Sequence, residues 1–288
     1  MSLPAATAPP TPGPSEEWVV NRVRTGRLQG VDLKEAWRYR ELAQLLALRT
    51  LKLRYRQTFI GVAWVVLQPL VTLAIFAVVF GHYAHLPAQG IPYATFVFPG
   101  LVIWTYVSTA VNGAAVELVS NQELVTKVYF PRVLAPVSAL LSGLPDLGIS
   151  LVLTGILMAV TGVAPGWAVV LLPVWLAAAL GVSLGTGLLL AALNVRFRDV
   201  RQTLPFLIQT WFFITPVVYA GSLVGDGGLR SLLALNPMVG VIDGLRWSLL
   251  DARVPPVTDA LGLVTLAALL AGGILYFRAS ERWFADVI

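Results

Sequence analysis

Four basic residues at close spacing, Arg49, Lys52, Arg54 and Arg56, carry the strongest chemical signal in this chain of 288 residues. A guanidinium presents a fork of N–H donors that matches two phosphate oxygens at once, and a lysine adds a compact charge beside it. Elsewhere the chain is chemically sparse. Lysine occurs only at 34, 52 and 127, preceded by Leu33, Leu51 and Thr126, so the Gly-Lys-Ser/Thr ending of a phosphate-binding loop is missing. Cysteine is absent, which removes disulfides, thiolate metal sites and cysteine nucleophiles together. The two histidines, His82 and His85, are too few to build a structural metal site unaided and read as loop residues. No Ser, His and Asp grouping suggests a hydrolase. Catalytic residues, metal ligands and cofactors are therefore not expected in this chain, and any ATP, with its Mg, belongs to a separate polypeptide.

The elements that must position these residues are membrane elements. Hydrophobic residues make up 57% of the chain and charged residues 12%, and the apolar residues lie in runs too long for a soluble core of this length. Six crossings are predicted: Phe59 to Phe80, Tyr93 to Val116, Leu134 to Val160, Trp167 to Leu193, Thr203 to Ala220, and Val257 to Phe277. The fold class is thus all-α and polytopic. The fifth run is the shortest and holds Pro205 and Pro216, so kinked or broken ends are expected there. Seventeen of the twenty Lys and Arg residues fall on one face of this topology, and only Arg230, Arg246 and Arg253 on the other. Basic residues are retained on the cytoplasmic side, so both termini are predicted cytoplasmic. The net charge of +5 then reflects anionic inner-leaflet headgroups and calls for no nucleic acid.

Residues 1–31 read as a disordered Pro/Ala-rich tail and linker, without the basic start and apolar core of a signal peptide. Residues 32–57 read as an amphipathic helix lying on the cytoplasmic membrane surface, opened by Asp32 and Glu35 at capping-box spacing. Leu42, Leu45 and Leu46 share one stripe of it and Arg49, Lys52 and Arg56 another. It serves either as an anchor or as a site where the arginines engage a lipid-linked anionic substrate. The polar stretch Asn121 to Arg132, with Lys127, Tyr129 and Phe130, reads as a brief cytoplasmic helix, either a docking or gating element or a plain connection.

Asp146 is the one acid well inside a predicted span, which suggests a polar cavity or a partner, while Pro145 beside it suggests a local break. Trp64, Phe76, Trp104, Tyr106, Trp211 and Phe212 sit in or beside the spans; most such aromatics pack or line interfaces, and an inward-facing subset would suit sugar rings. Gly181 and Gly185 form a small-xxx-small pattern typical of close helix packing. Between spans five and six, residues from about 225 to 251 are too apolar for a free loop and too short to cross, and break at Asn236-Pro237. They read as a re-entrant helix pair, with Asp243, Arg246 and Trp247 in a possible outer gate.

Four segments in this order and spacing, LKLRYRQTFIGVAWVVLQPL at 51–70, LVTKVYFPR at 124–132, LNVRFRDVRQ at 193–202 and LNPMVGVIDGLRWSLL at 235–250, resemble the permease subunits of bacterial ABC exporters of lipid-linked polysaccharides, among them O-antigen, capsular and teichoic-acid exporters. The closing ERWFADVI is similar to that family's ending, so the resemblance extends from Leu33 to Ile288. It implies a homodimer of six-helix subunits in the inner membrane, paired with two copies of a separate ATPase. A pore between protomers would pass a polyprenyl-pyrophosphate-linked glycan. The resemblance also puts the Arg49–Arg56 helix beside the point where substrate enters, the Asn121–Arg132 stretch against the ATPase, and the re-entrant helices across the outer side. A related permease for drugs or simple lipids, and a membrane enzyme acting on lipid-linked sugars, are the competing readings.

Overall fold

The computed structural model describes residues 37–55, 63–122, 130–223, 228–281 and 284. Among these residues every regular element is helical and no strand occurs, in line with the all-α expectation. The first helix, α1 (Arg40–Tyr55), buries Ala43, Leu46 and Ala47, while Leu45, Leu48 and Leu53 are exposed. The expected stripe of Leu42, Leu45 and Leu46 is therefore split. Small residues form the inner side because they let α1 lie close against α4 (Leu134–Ser142). Arg56, the capping pair Asp32 and Glu35, and Lys127 and Tyr129 of the polar stretch lie outside the described residues.

Helix α2 (Ala63–Phe76) runs on into a π-helical segment, Ala77–Tyr83, and α3 (Tyr93–Ser120) returns beside it. The third predicted crossing is two helices, α4 and α5 (Leu144–Thr161), with Gly143 between them. Pro145 supplies no N–H to the preceding turn, which accounts for the break. A side chain at Gly143 would press on the Tyr106 ring. A 3₁₀ turn at Trp167–Leu171 leads into α6 (Leu172–Arg196), followed by α7 (Asp199–Ile214), α8 (Gly228–Ala234), α9 (Pro237–Leu250) and α10 (Ala260–Glu281).

Among the described residues, five helical stretches are long and apolar enough to cross a membrane: Ala63–Tyr83, Tyr93–Ser120, Leu134–Thr161, Trp167–Arg196 and Val257–Glu281. The fifth predicted crossing, Thr203 to Ala220, differs. Its helix, α7, has 16 residues, about 24 Å at 1.5 Å per residue, against a hydrocarbon core of about 30 Å. It stops because Thr215 precedes Pro216 and is extended, with φ −88° and ψ 135°.

Helix α3 is the hub: 78% of its apolar window is buried, against 11% for α2 and 17% for α10. The outer helices therefore present most of their apolar surface outward, as lipid-facing helices do. Helices α6 and α10 run parallel. Gly181 meets Leu266 and Leu270, Gly185 meets the backbone at Leu269 and Leu270, and any side chain on Gly273 would collide with the Gly185 carbonyl. The small-xxx-small pattern thus marks a close helix crossing. One hydrophobic cluster gathers Leu118, Phe130, Leu134, Val195, Phe277 and Phe284, so the ends of α3, α6 and α10 and the start of α4 meet at one pole, together with α1 through Ala43. This is called the basic pole below, for Arg49, Arg54, Arg132, Arg196 and Arg278 around it. Because α6 and α10 both end there, the chain between them must travel back to the opposite pole before α10 begins.

Several hydroxyls inside the helices are satisfied locally. Thr154, Thr161, Ser183, Thr210 and Thr265 each donate to the carbonyl four residues earlier.

Candidate functional site

At the basic pole the sequence Ala43, Ala47, Thr50, Arg54 follows i, i+4, i+7, i+11 and puts Arg54 on the stripe that faces the rest of the chain. Its Nη1 donates to Asp146 Oδ2 at 2.9 Å, and the Tyr55 hydroxyl donates to Asp146 Oδ1 at 2.8 Å. Arg54 and Asp146 are 34% and 28% exposed, so water reaches the pair. Burial, and then the bond to Asp146, hold the Tyr55 phenol above its ordinary range, so it remains a proton donor. Asp146 sits in the first turn of α5, directly after the break, where the helix dipole favours its charge. The fold contains the local break expected from Pro145, and α1 supplies Asp146 with a partner. Arg49 Nη1 reaches Asn121 Oδ1 at 3.5 Å, and Asn121 donates to the Glu117 carbonyl and carboxylate at 3.1 and 3.0 Å. Lys52 is exposed. Phe130 is buried, and Arg132 donates to the Glu281 carbonyl, tying the polar stretch to the end of α10.

In mid-molecule, α3 and α7 border a groove of about 370 Å³ lined by Trp104, Ser108, Asn112, Pro205, Ile208, Gln209, Phe212 and Phe213. The α3 residues recur every four positions and the α7 residues at three and four, so each helix offers one continuous stripe. Trp104 packs edge-on to Trp211 with centroids 5.4 Å apart and lies 5.6 Å from Phe212, which meets Phe76 at 5.9 Å. Four of the expected aromatics therefore form one cluster. The other two lie apart from it. Tyr106 is buried and donates to the Leu140 carbonyl at 3.2 Å, bracing the α4–α5 break, and Trp64 is half exposed on α2. Flat apolar rings beside the amides of Asn112 and Gln209 offer stacking surfaces with polar rims, a pairing suited to sugar rings.

The opposite pole is built on Arg246, which is 2% exposed. Its Nε donates to the Phe96 carbonyl at 3.2 Å, Nη1 to those of Pro216 and Tyr219 at 2.9 and 3.3 Å, and Nη2 to that of Val217. The guanidinium also lies 4.0 Å above the Phe96 ring and 3.7 Å from Asp243. Residues 215–220 have left the helix; this one side chain satisfies the carbonyls of Pro216, Val217 and Tyr219, and the Tyr93 hydroxyl donates to that of Val218 at 2.8 Å. Arg230 adds ion pairs to Asp243 at 3.7 Å and Asp259 at 3.0 Å, joining α8, α9 and the start of α10. Asn236 caps α9 by accepting from the Met238 N–H at 3.1 Å, accepts from Trp211 Nε1 at 3.0 Å, and donates to the Thr215 hydroxyl at 2.8 Å. Pro237 follows at the first helical position. Trp247 stacks edge-on with Trp167 at 5.5 Å. Of the expected gate residues, Asp243 and Arg246 are thus brought together, Trp247 packs separately on Trp167, and Trp211 links Asn236 to the aromatic groove.

Residues 41–250 match the ABC-2 type transporter membrane family. The chain belongs to that family. It is 36% identical over 262 residues to the O-antigen export system permease protein RfbA of Myxococcus xanthus, covering 89% of this chain and 98% of the relative. It is 24% identical over 253 residues to the RfbA permease of Klebsiella pneumoniae, covering 86% and 95%, and 23% identical over 246 residues to the polysialic acid transport protein KpsM of Escherichia coli, covering 83% and 93%. An ABC-2 membrane protein with several apolar spans is a multi-pass transporter component and not an enzyme. In this ABC-2 chain, Tyr55 joins the basic pole, and Arg230, Thr215 and Asp259 join the opposite pole, without having been proposed as site residues from the sequence. Tyr55 had a signal in its place next to Arg54. The others had none, because their partners lie across turns whose path the hydrophobic pattern does not specify.

Proposed function

We propose that this chain is the transmembrane subunit of an ATP-driven exporter that moves polyprenyl-pyrophosphate-linked polysaccharide across the cytoplasmic membrane. Its ATPase is a separate subunit, present in two copies, and the pore forms between two copies of this chain. The observation that carries the reading is full-length similarity to permeases named for O-antigen and polysialic acid export. The lack of a phosphate-binding loop supports assigning ATP and Mg to the partner. Six crossings, which put both termini on one side, are supported by the parallel course of α6 and α10, with α7 in the return path between them, and the distribution of Lys and Arg supports a cytoplasmic location for that side.

In this reading Arg49, Lys52, Arg54 and Arg56 meet the pyrophosphate, and the Asn121–Arg132 stretch meets the ATPase. Trp104, Trp211, Phe212 and Phe76 guide sugars, and α8 and α9 close the outer side around Arg246. Deletion of the gene, followed by localisation of lipid-linked glycan, is the test. Glycan is expected to accumulate on the cytoplasmic leaflet. Unchanged surface glycan together with altered drug susceptibility would contradict the proposal.

A further inference from the structure

Arg54 and Tyr55 are adjacent in sequence, yet both donate to the two oxygens of one carboxylate more than ninety residues away, at 2.9 and 2.8 Å. A guanidinium and a phenol converging on a single anionic group form the donor set that a pair of phosphate oxygens would accept from. Here the anion is the protein's own. The pair is not locked by burial, since Arg54 and Asp146 are both about a third exposed, and exchange with an outside anion is sterically open. Nor would a displaced Asp146 be stranded as a buried charge, because it stays partly exposed at the positive end of α5. Exposed Arg49 and Lys52, five and two residues earlier, extend the attraction for an approaching anion.

We infer that Asp146 is an internal stand-in for the substrate's phosphate. It fills the Arg54 and Tyr55 donor site in the resting chain, and the phosphate head of the membrane-borne substrate displaces it. The inference deepens the export reading above and rests on it. Asp146 is then a positioning residue with a consequence for the fold. Its bonds tie the last turn of α1 to the first turn of α5, one residue beyond Pro145 and three beyond Gly143. Exchange of carboxylate for phosphate removes that tie at the one break in the Leu134–Thr161 crossing, so arrival of a headgroup frees α5 to move relative to α1.

The test titrates polyprenyl pyrophosphate into the full-length chain in phosphatidylcholine nanodiscs, with uncharged polyprenol and with phosphatidylglycerol as parallel arms. Asp146→Asn keeps the side-chain shape but removes the competing charge, and is expected to tighten pyrophosphate binding about fivefold. Arg54→Gln is expected to weaken it, and the double variant to behave as Arg54→Gln alone. Polyprenol binding should not respond to either change. If the pair only holds the fold together, both single variants weaken binding, and that result overturns the inference. A gain of equal size toward phosphatidylglycerol also overturns it, because the site would then read bulk lipid. Asp146→Ser serves as a second charge-removing variant if the Asn form is not monodisperse. A wild-type chain that binds no polyprenyl pyrophosphate would instead sink the export reading underneath.

Discussion

Arg54 and Arg246 are both arginines facing an aspartate, and their surroundings give them opposite roles. Arg246 is almost fully buried and is shared among the carbonyls of Phe96, Pro216, Val217 and Tyr219. No external anion can replace four backbone oxygens fixed by the chain itself. Arg54 has one carboxylate partner at the edge of the molecule, within reach of solvent. The number and kind of acceptors, more than the presence of an ion pair, separates an arginine that completes a fold from one that can trade partners.

Arg246→Leu should have the largest effect, since it leaves buried carbonyls without their donor and Asp243 with Arg230 as its remaining cation. A loss of about 3–5 kcal/mol is expected, enough to be visible as a fall in the folded, membrane-inserted chain by size-exclusion of detergent extracts. Next comes Arg54→Gln, which should lower surface glycan per inserted copy about tenfold, the scale of one charge-assisted bond to phosphate, while leaving the amount inserted unchanged. Trp211→Phe keeps the ring packing on Trp104 but removes the donor to Asn236, and should cost about 0.5–1 kcal/mol in thermal stability. The smallest change is expected from Tyr55→Phe, a roughly twofold weakening of pyrophosphate binding with unaltered stability, measured in the same nanodisc titration.

Much of this comparison could be anticipated before the fold was known, but unevenly. Long apolar runs identify helices in lipid because backbone groups there have no other partner, so the all-α architecture and the α8–α9 pair followed from composition and from the Asn236-Pro237 break. The lengths were less secure. The Thr203 to Ala220 run is mostly apolar, yet its helix stops at Ile214 because Thr215 is extended ahead of Pro216, and Arg246 from a separate helix takes carbonyls that follow. Asp146 was visible as an acid in an apolar run, but its partner was not, because a contact across 92 residues leaves no periodic trace. The stripe of Ala43, Ala47, Thr50 and Arg54 did hold that information, and was hidden by the more conspicuous leucines. Tyr106 illustrates the reverse: an aromatic in a central helix that braces the α4–α5 break instead of joining the groove.

The most direct test places Arg54→Gln and Arg246→Leu side by side in a strain lacking the gene, and divides surface glycan by the amount of folded chain in the membrane. The expected result is a low ratio with a normal denominator for Arg54→Gln, and a low denominator with a near-normal ratio for Arg246→Leu. Equal losses of glycan and inserted chain for Arg54→Gln would reduce that arginine to a fold or orientation element and contradict its place in substrate handling.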